Sequence, residues 1–196
     1  GAKQRNALKN ELVNDYYVPV SIIVPAHNES VTIEATIRSL LALDYRSYEI
    51  VVVDDGSTDG TAQIVRDAFQ MVRINRPIQR RLSCQAAESV FETHRYKVPI
   101  TLIQKVNGGK ADALNMGINA CRYPYFLCMD ADSVLQRDSL EKIVRPVLED
   151  GRVVAVGGAV RPCNGAEIAD GRVVKFRMPN KLLACMQVLE YDRSFL

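Results

Sequence analysis

The chain has 196 residues, of which 47% are hydrophobic and 24% charged, and its formal net charge is +2. This size and composition predict a globular domain with a full core, and so small a net charge argues against nucleic-acid binding. Five cysteines without a Cys-x-x-Cys pair argue against a disulfide scaffold and a structural zinc site. No apolar stretch could span a bilayer and no signal peptide is present, so we expect the chain as given to be soluble.

Apolar and β-branched runs alternate with helical patterns along most of the chain. Residues 1–17 are polar and are predicted to be a lead-in segment. The predicted strands are residues 18–24, 48–53, 99–104, 123–129 and 153–156. The predicted helices begin near residues 33, 61, 110 and 138, and a last one covers residues 178–196. This alternation predicts an α/β domain over 18–196 with a mostly parallel sheet.

Residues 70–98 interrupt the alternation. The stretch between Asp67 and Glu88 has no acid and carries four arginines: Arg73, Arg76, Arg80 and Arg81. We expect a solvated basic insertion. The alternative is a patch for anionic lipid or for another part of a larger protein.

Polar side chains gather where the predicted strands end. They are Asn28, Glu29, Asp54, Asp55, Asp130 and Asp132. Ligands of parallel α/β sheets bind at the carboxyl ends of the strands. We therefore expect these side chains to form the floor of one site.

Asp130 and Asp132 end a run that is predicted to be a buried strand, and in extended backbone their side chains point to the same side. Two acids in one small volume are costly unless a positive group lies between them. A hard divalent cation that also bridges a diphosphate would satisfy them. The alternative is that the two acids polarise a turn or cap the next helix.

Gly108-Gly109-Lys110 lies at a predicted helix start, where unpaired backbone amides favour an anion and Lys110 adds an ammonium. This suits a phosphate, although the segment is not a Walker loop, and Lys110 could instead be an exposed loop lysine. His27 and His94 have no partner at metal-ligand spacing, so hydrogen bonding or exposure is expected for both.

Four segments occur in an order that resembles family 2 glycosyltransferases. They are Val-Ser-Ile-Ile-Val-Pro-Ala-His-Asn-Glu (20–29), Val-Val-Val-Asp-Asp-Gly-Ser-Thr-Asp-Gly-Thr (51–61), Gly-Gly-Lys-Ala-Asp-Ala-Leu-Asn (108–115) and Asp-Ala-Asp (130–132). The resemblance is greatest to the membrane-bound processive synthases of cellulose, hyaluronan, chitin and poly-N-acetylglucosamine. It implies a Rossmann-like GT-A fold, a UDP-sugar donor and an Mn²⁺ or Mg²⁺ ion.

The resemblance also implies roles for individual residues. Pro25, Ala26, Glu29 and Asp55 would hold the uridine, and Lys110 the diphosphate. Asp130 would lie on the sugar or ribose side, and Asp132 would bind the metal, with Asp130 as a second candidate ligand.

The family's catalytic base lies in an acidic pair well after Asp-x-Asp and is followed by Gln-x-x-Arg-Trp. This chain has no Trp and ends before either motif should occur. We therefore expect an incomplete fold, the donor half of an inverting enzyme with the base beyond Leu196, and little turnover. The parent would act at the cytoplasmic face of the cell membrane on a polysaccharide or a lipid-linked or saccharide acceptor.

Two alternatives belong to other functional classes. A sugar-nucleotide pyrophosphorylase would need a Gly-rich basic loop after the first strand, and residues 25–29 have no glycine and no basic residue besides His27. A non-catalytic nucleotide-binding module with the same fold is the other alternative.

Overall fold

The computed structural model describes residues 18–158 and the backbone of two later strands, Ala166–Ala169 and Arg172–Phe176. The predicted lead-in segment 1–17 and the predicted helix 178–196 lie outside the described residues. The described chain divides into two compact units. One contains residues 18–41 and 45–134, and the other contains residues 42–44, 135–158 and the two later strands.

The first unit is built on a six-stranded sheet in the order β3-β4-β5-β2-β1-β6. Its strands are β1 (Val20–Ala26), β2 (Tyr48–Asp55), β3 (Val72–Ile74), β4 (Ala87–Thr93), β5 (Ile100–Lys105) and β6 (Tyr125–Cys128). β1 pairs in parallel with β2 and β6, and β2 pairs in parallel with β5. β4 runs antiparallel to β3 and β5. The mostly parallel sheet is therefore confirmed.

Helices follow the parallel strands at the predicted places. The first unit contains α1 (Ile33–Leu41), α2 (Thr61–Phe69) and α3 (Lys110–Ala120), and the second contains α4 (Ser139–Glu149). The second unit also contains the antiparallel pair β7 (Ala166–Ala169) and β8 (Arg172–Phe176). None of the helices in the described part of the chain combines the length and apolar character needed to cross a bilayer.

The central strand β2 is buried along its whole length, as its apolar sequence predicts for a strand covered on both faces. On one face, Val51 and Val53 of β2 join Ile103 of β5 in a buried cluster with Ala113 and Met116 of α3. The first residue of α3 is Lys110, so this packing determines where the predicted phosphate ligand lies.

Two predicted strands differ from the structure. Residues 153–156 form no strand, and the side chain of Val154 is 98% exposed. β6 is shorter than predicted and is not buried, since Tyr125 and Phe126 are about half exposed. Among the described residues β6 has a partner on one side only, β1, and a strand at a sheet edge buries less of its surface.

The basic segment is also different from the expectation. Residues 87–93 form β4, in which Val90 and Phe91 are buried, so a solvated insertion is wrong for this part. Arg76 donates to the carboxylate of Glu92 in β4 and to the carbonyl of Ala120 at the end of α3. Arg73, Arg76 and Arg80 line a cavity of about 640 Å³ beside β3 and β4. Binding of anionic lipid there stays a prediction.

A buried carboxylate connects three segments at the amino ends of the strands. Glu49, which is fully buried, lies opposite Ser21 in the β1–β2 register and accepts a hydrogen bond of 2.6 Å from its hydroxyl. It also accepts a 2.7 Å bond from the backbone amide of Arg122, whose guanidinium lies 3.5 Å away. Removing this acceptor would leave the buried hydroxyl of Ser21 and the amide of Arg122 without a partner, which is costly.

Glu49→Ala should therefore lower the free energy of unfolding by about 3 kcal/mol, because Ser21 and Arg122 lose their buried acceptor. Urea denaturation measures this. The control is Glu34→Ala, which removes an exposed ion pair with Arg38 within α1 and should cost about 0.5 kcal/mol or less. Equal losses in the two variants would contradict the importance of the buried carboxylate.

Candidate functional site

The carboxyl ends of the parallel strands surround a cavity of about 370 Å³, here called the strand-end cavity. The parallel register creates it, because Ala26 lies opposite Asp54 and Asp55 lies opposite Lys105. All seven residues predicted to bind the donor or the metal line this cavity: Pro25, Ala26, Glu29, Asp55, Lys110, Asp130 and Asp132. His27, Asn107, Gly109, Ala113 and Ala131 complete the lining.

Two of the strand-end residues are not part of this floor. Asp54 is buried but does not line the cavity, because successive strand residues point to opposite faces of the sheet and Asp55 occupies the cavity side. Asn28, which has a positive φ of 56°, binds the loop after β2 instead. The expectation that both would form the floor is wrong.

The loops after β1 and β2 are held together by side chains of both. The contacts are Asn28 N to Ser57 Oγ (2.9 Å), Thr58 N to Asn28 Oδ1 (2.8 Å), Glu29 N to Thr61 Oγ1 (2.9 Å) and Ser30 N to Asp59 Oδ2 (3.0 Å). Each bond satisfies a backbone amide that the turn would otherwise leave to water. These hydrogen bonds therefore join the segments 25–30 and 54–61 and position Glu29.

Asp55 fixes the loop between β5 and α3. Its Oδ1 accepts from the ammonium of Lys105 and, at 3.0 Å, from the amide of Gly108. Its Oδ2 accepts from the amide of Gly109 at 2.7 Å. A carboxylate oxygen can accept more than one hydrogen bond, so Oδ2 can still accept one from a ligand.

Gly109 and Lys110 form the start of α3. Gly109 has φ +89°, a backbone conformation that favours glycine, and its carbonyl accepts the first helical bond from Ala113. Lys110 follows as the first helical residue, and the amides of the first turn have no partner within the helix. This end of the helix favours an anion.

Lys110 and Asp130 form an ion pair across the cavity, with 2.5 Å between Lys110 Nζ and Asp130 Oδ1. Both side chains are more than half exposed. Such pairs contribute only about 0–1 kcal/mol, so a ligand can separate these two groups at little cost. Lys110 and Asp130 are thus paired with each other, but either can exchange this partner for a charged ligand.

Asp130 and Asp132 lie on a turn rather than on an extended strand, because the amide of Ser133 donates to the carbonyl of Asp130. The prediction that strand geometry aligns them is wrong, yet both border the same cavity. Asp132 is exposed and makes no hydrogen bond or ion pair with another described residue. It is the carboxylate best able to accept a cation.

The described residues contain no group of three or more His, Cys, Asp or Glu side chains that could bind a metal ion by themselves. Two carboxylates fit a hard cation whose other ligands are water or phosphate oxygens, which is how Mg²⁺ is commonly bound. The residues present therefore fit a metal that arrives with a diphosphate.

Sequence reasoning assigned no ligand role to His27 or Asn107, although both line the cavity. His27 is hydrogen-bonded, as expected, with Nδ1 2.9 Å from the carbonyl oxygen of Asp55. Asn107 Nδ2 donates to the same oxygen at 2.9 Å. The position of Asn107, directly before the Gly-Gly-Lys segment, was the only sequence signal for it.

The sequence profile of Glycosyl transferase family 2 matches residues 21–184. A poly-β-1,6-N-acetyl-D-glucosamine synthase of Staphylococcus epidermidis is 32% identical over 149 residues, and that of Staphylococcus aureus strain COL is 30% identical. Each alignment covers 76% of this chain and 30% of the relative, so the chain spans less than a third of those proteins' length.

Solved structures resemble the fold. A mannosyltransferase from Pyrobaculum calidifontis, in complex with GDP-Man and Mn²⁺, is 28% identical with a TM-score of 0.56, and the match covers 76% of this chain and 37% of that one. Staphylococcus aureus TarS 1–349 in complex with UDP-GlcNAc is 23% identical with a TM-score of 0.51, covering 77% of this chain and 39% of that one. The predicted GT-A fold is confirmed.

The acid dependence of folding should report the hydrogen bonds of Asp59 in the loop after β2, one of which comes from the loop after β1. The hydrogen bonds from the Thr61 hydroxyl and the Ser30 amide hold the pKa of the Asp59 carboxyl well below its usual range. A lowered folded pKa means that Asp59 stabilises the fold above about pH 4, its unfolded value, and that this stabilisation is lost as the pH falls further.

Urea denaturation between about pH 6 and pH 2.5 should therefore show a smaller acid-induced loss of stability in Asp59→Asn than in the wild type. Asp67→Asn is the matched control, since Asp67 accepts a hydrogen bond from Gln63 within α2 and makes no hydrogen bond or ion pair with the described residues of the loop after β1. It should follow the wild-type profile. An identical profile for Asp59→Asn would show that these hydrogen bonds of Asp59 do not stabilise the fold.

Proposed function

We propose a function for this chain, which belongs to glycosyl transferase family 2. Its strand-end cavity would bind a UDP-sugar, and the protein would transfer the sugar to a saccharide or lipid-linked acceptor. One observation carries this proposal. Residues from three separate segments, 25–29, 107–110 and 130–132, line one cavity together with Asp55 of β2. Acids and a lysine around a cavity of this size suit a charged nucleotide bound through a cation.

The nucleoside end of the donor would lie against Pro25, Ala26, Glu29 and Asp55. Pro25 and Ala26 present backbone and small side chains at the end of β1, which leaves room for a flat ring. The uracil imide N–H could donate to Oδ2 of Asp55, the carboxylate oxygen that accepts only one hydrogen bond from the described residues.

The diphosphate would lie at the start of α3. Lys110 would exchange the carboxylate of Asp130 for phosphate oxygens, and the first-turn amides would face the same charge. Transfer breaks the bond between the anomeric carbon and the diphosphate, so negative charge grows on the leaving group. An ammonium beside that growing charge stabilises the transition state more than the ground state.

Asp132 would hold an Mn²⁺ or Mg²⁺ ion, and Asp130 would be a second ligand once Lys110 has turned to the phosphates. When bound, the ion would neutralise charge on the diphosphate. The similar mannosyltransferase, whose complex contains GDP-Man and Mn²⁺, supports this combination of nucleotide sugar and metal.

The names of the similar synthases support N-acetylglucosamine as the transferred sugar and a polysaccharide as the acceptor. An inverting transfer also needs a base for the acceptor hydroxyl. We assign this base to none of the described residues and propose that it lies beyond Leu196. Attachment to the cytoplasmic face of a membrane would likewise depend on parts of a longer protein.

Calorimetric titration of the chain with UDP, with and without Mn²⁺, tests the proposal. The wild type should bind UDP more tightly with the metal, and Asp132→Ala should remove this gain without altering metal-free binding. Lys110→Met should weaken binding by roughly tenfold or more under both conditions, because it removes a charged hydrogen bond to phosphate.

Asp67→Ala and Lys142→Met serve as controls, because they remove exposed charges of the same sign on α2 and α4. Both should bind UDP as the wild type does. An affinity for UDP that changes neither with Mn²⁺ nor with the substitution of Asp132 would refute the metal site. No UDP binding at all would refute the proposed function.

A further inference from the structure

We propose that Lys105 and Asp112 are positioning residues for donor binding: with Asp55 they form a charge cluster around the buried ammonium of Lys105 that holds the Gly108-Gly109 loop and so places Lys110 at the strand-end cavity. The three residues are here called the Lys105 cluster. The proposal rests on the proposed function and assigns it two residues that do not line the cavity.

Lys105 ends β5 and is fully buried at the side chain. Its ammonium has three acceptors: the carboxylate of Asp55, Oδ1 of Asp112 at 2.6 Å and the carbonyl of Val106 at 2.7 Å. An ammonium carries three hydrogens, so every donor of this buried charge is used. A buried lysine is tolerated when it is paired in this way.

Each carboxylate of the cluster also accepts from backbone amides. Asp55 takes the amides of Gly108 and Gly109, and Asp112 takes the amide of Gln85 at 3.0 Å. Lys105 therefore connects β2, β5 and α3 with the segment between β3 and β4. The loop that precedes Lys110 is fixed from both of its ends.

The fit around Gly108 is close. A Cβ added to Gly108 would lie 2.5 Å from the carboxyl carbon of Asp112, so the loop packs directly on a member of the cluster. Displacement of Asp112 would leave this backbone without its support. Lys110 begins the helix two residues later, so a shift in the loop is a shift in the phosphate site.

Charge explains why a lysine is needed here. Burial lowers the pKa of the Lys105 ammonium, but its bonds to Asp112 and Asp55 outweigh this and leave the pKa raised. The same bond from Lys105 lowers the pKa of Asp112. Without Lys105, the two carboxylates would face each other with no cation, and they would have to share a proton or move apart.

Lys105→Met in the 196-residue chain tests the proposal with two measurements. Methionine keeps the length of the side chain and removes its charge. Amide hydrogen exchange at Gly108 and Gly109 should become faster, because the Asp55 carboxylate that accepts from both loses its cation. The dissociation constant for UDP with Mn²⁺ should rise about tenfold or more, as is typical when a supporting residue behind a binding site is removed.

The control is Lys97→Met. Lys97 precedes the same strand β5 at its opposite end, is exposed, and makes no hydrogen bond or ion pair with another described residue. It should leave both measurements unchanged. The double variant Lys105→Met/Asp112→Asn removes one charge of each sign, so it should recover part of the lost affinity.

The pH dependence separates charge from packing. In Lys105→Met, the loss of affinity should be smaller near pH 5.5 than near pH 8, because a shared proton can replace the lysine only at the lower pH. The ratio of the variant's dissociation constant to that of the wild type removes effects common to both proteins. These include contributions from the phosphates of UDP and from the imidazole of His27, whose Nδ1 lies 2.9 Å from the Asp55 carbonyl oxygen.

Unchanged amide exchange at Gly108 and Gly109 in Lys105→Met would overturn the claim that Lys105 holds the loop, whether or not the chain binds UDP. Faster exchange with unchanged UDP affinity would overturn the positioning role. A loss of affinity that is equal at both pH values and is not recovered in the double variant would reduce Lys105 to a packing residue. A wild type that binds no UDP would refute the proposed function, while amide exchange would still decide whether Lys105 holds the loop.

Discussion

The hydrogen bonds that the Asp55 carboxylate accepts from Gly108 and Gly109 are the contact on which the site depends. Parallel pairing brings the strand ends to one edge of the sheet, but pairing alone leaves the connecting loops free. Asp55, at the end of β2, converts that proximity into a defined shape for the loop before α3. The exposed Lys110–Asp130 pair contributes little to stability and can be exchanged for a ligand, whereas the buried pairs of Lys105 cannot be broken cheaply. The molecule thus combines a rigid support with an exchangeable pair at the ligand.

Local sequence patterns predicted the central parallel strands and the helices that follow them. Strands β1, β2 and β5 consist mainly of apolar residues in the centre of the sheet, and each is followed by a helix with apolar residues at helical spacing. β4 was missed because Glu92 resembles a solvated residue in sequence. Its burial is made acceptable by Arg76, Arg122 and the hydroxyl of Thr101, which come from other segments. Residues 153–156 show the opposite error. An apolar run becomes a strand only beside a neighbour that completes its hydrogen bonds, and the described residues supply none for it.

The candidate site was predictable to a greater extent than its support. Asp55, Lys110 and Asp132 could be grouped because each follows a predicted strand, and the rule that strand ends meet requires no knowledge of side-chain contacts. Lys105 and Asp112 carry no such signal, since a charge at the end of a strand and one in a helix are ordinary in sequence. Their pairing depends on the rotation of α3 against β5, which only the packed structure reveals. The predicted extended backbone of residues 130–133 was wrong for a similar reason: a turn and a strand end can have the same amino-acid composition, and the structure has a turn there.

Paramagnetic broadening by Mn²⁺ in the presence of UDP tests most directly whether the strand-end cavity is where the nucleotide and the metal bind. Titration of substoichiometric Mn²⁺ into the UDP-saturated, isotope-labelled chain should first broaden the amide signals of residues 130–133 and 108–111. Signals beside the arginine-lined cavity, such as those of residues 73–76 and 88–90, should be affected much less. Broadening centred on that second cavity would contradict the account. So would broadening of residues 130–133 and 108–111 in Asp132→Ala that is the same with and without UDP.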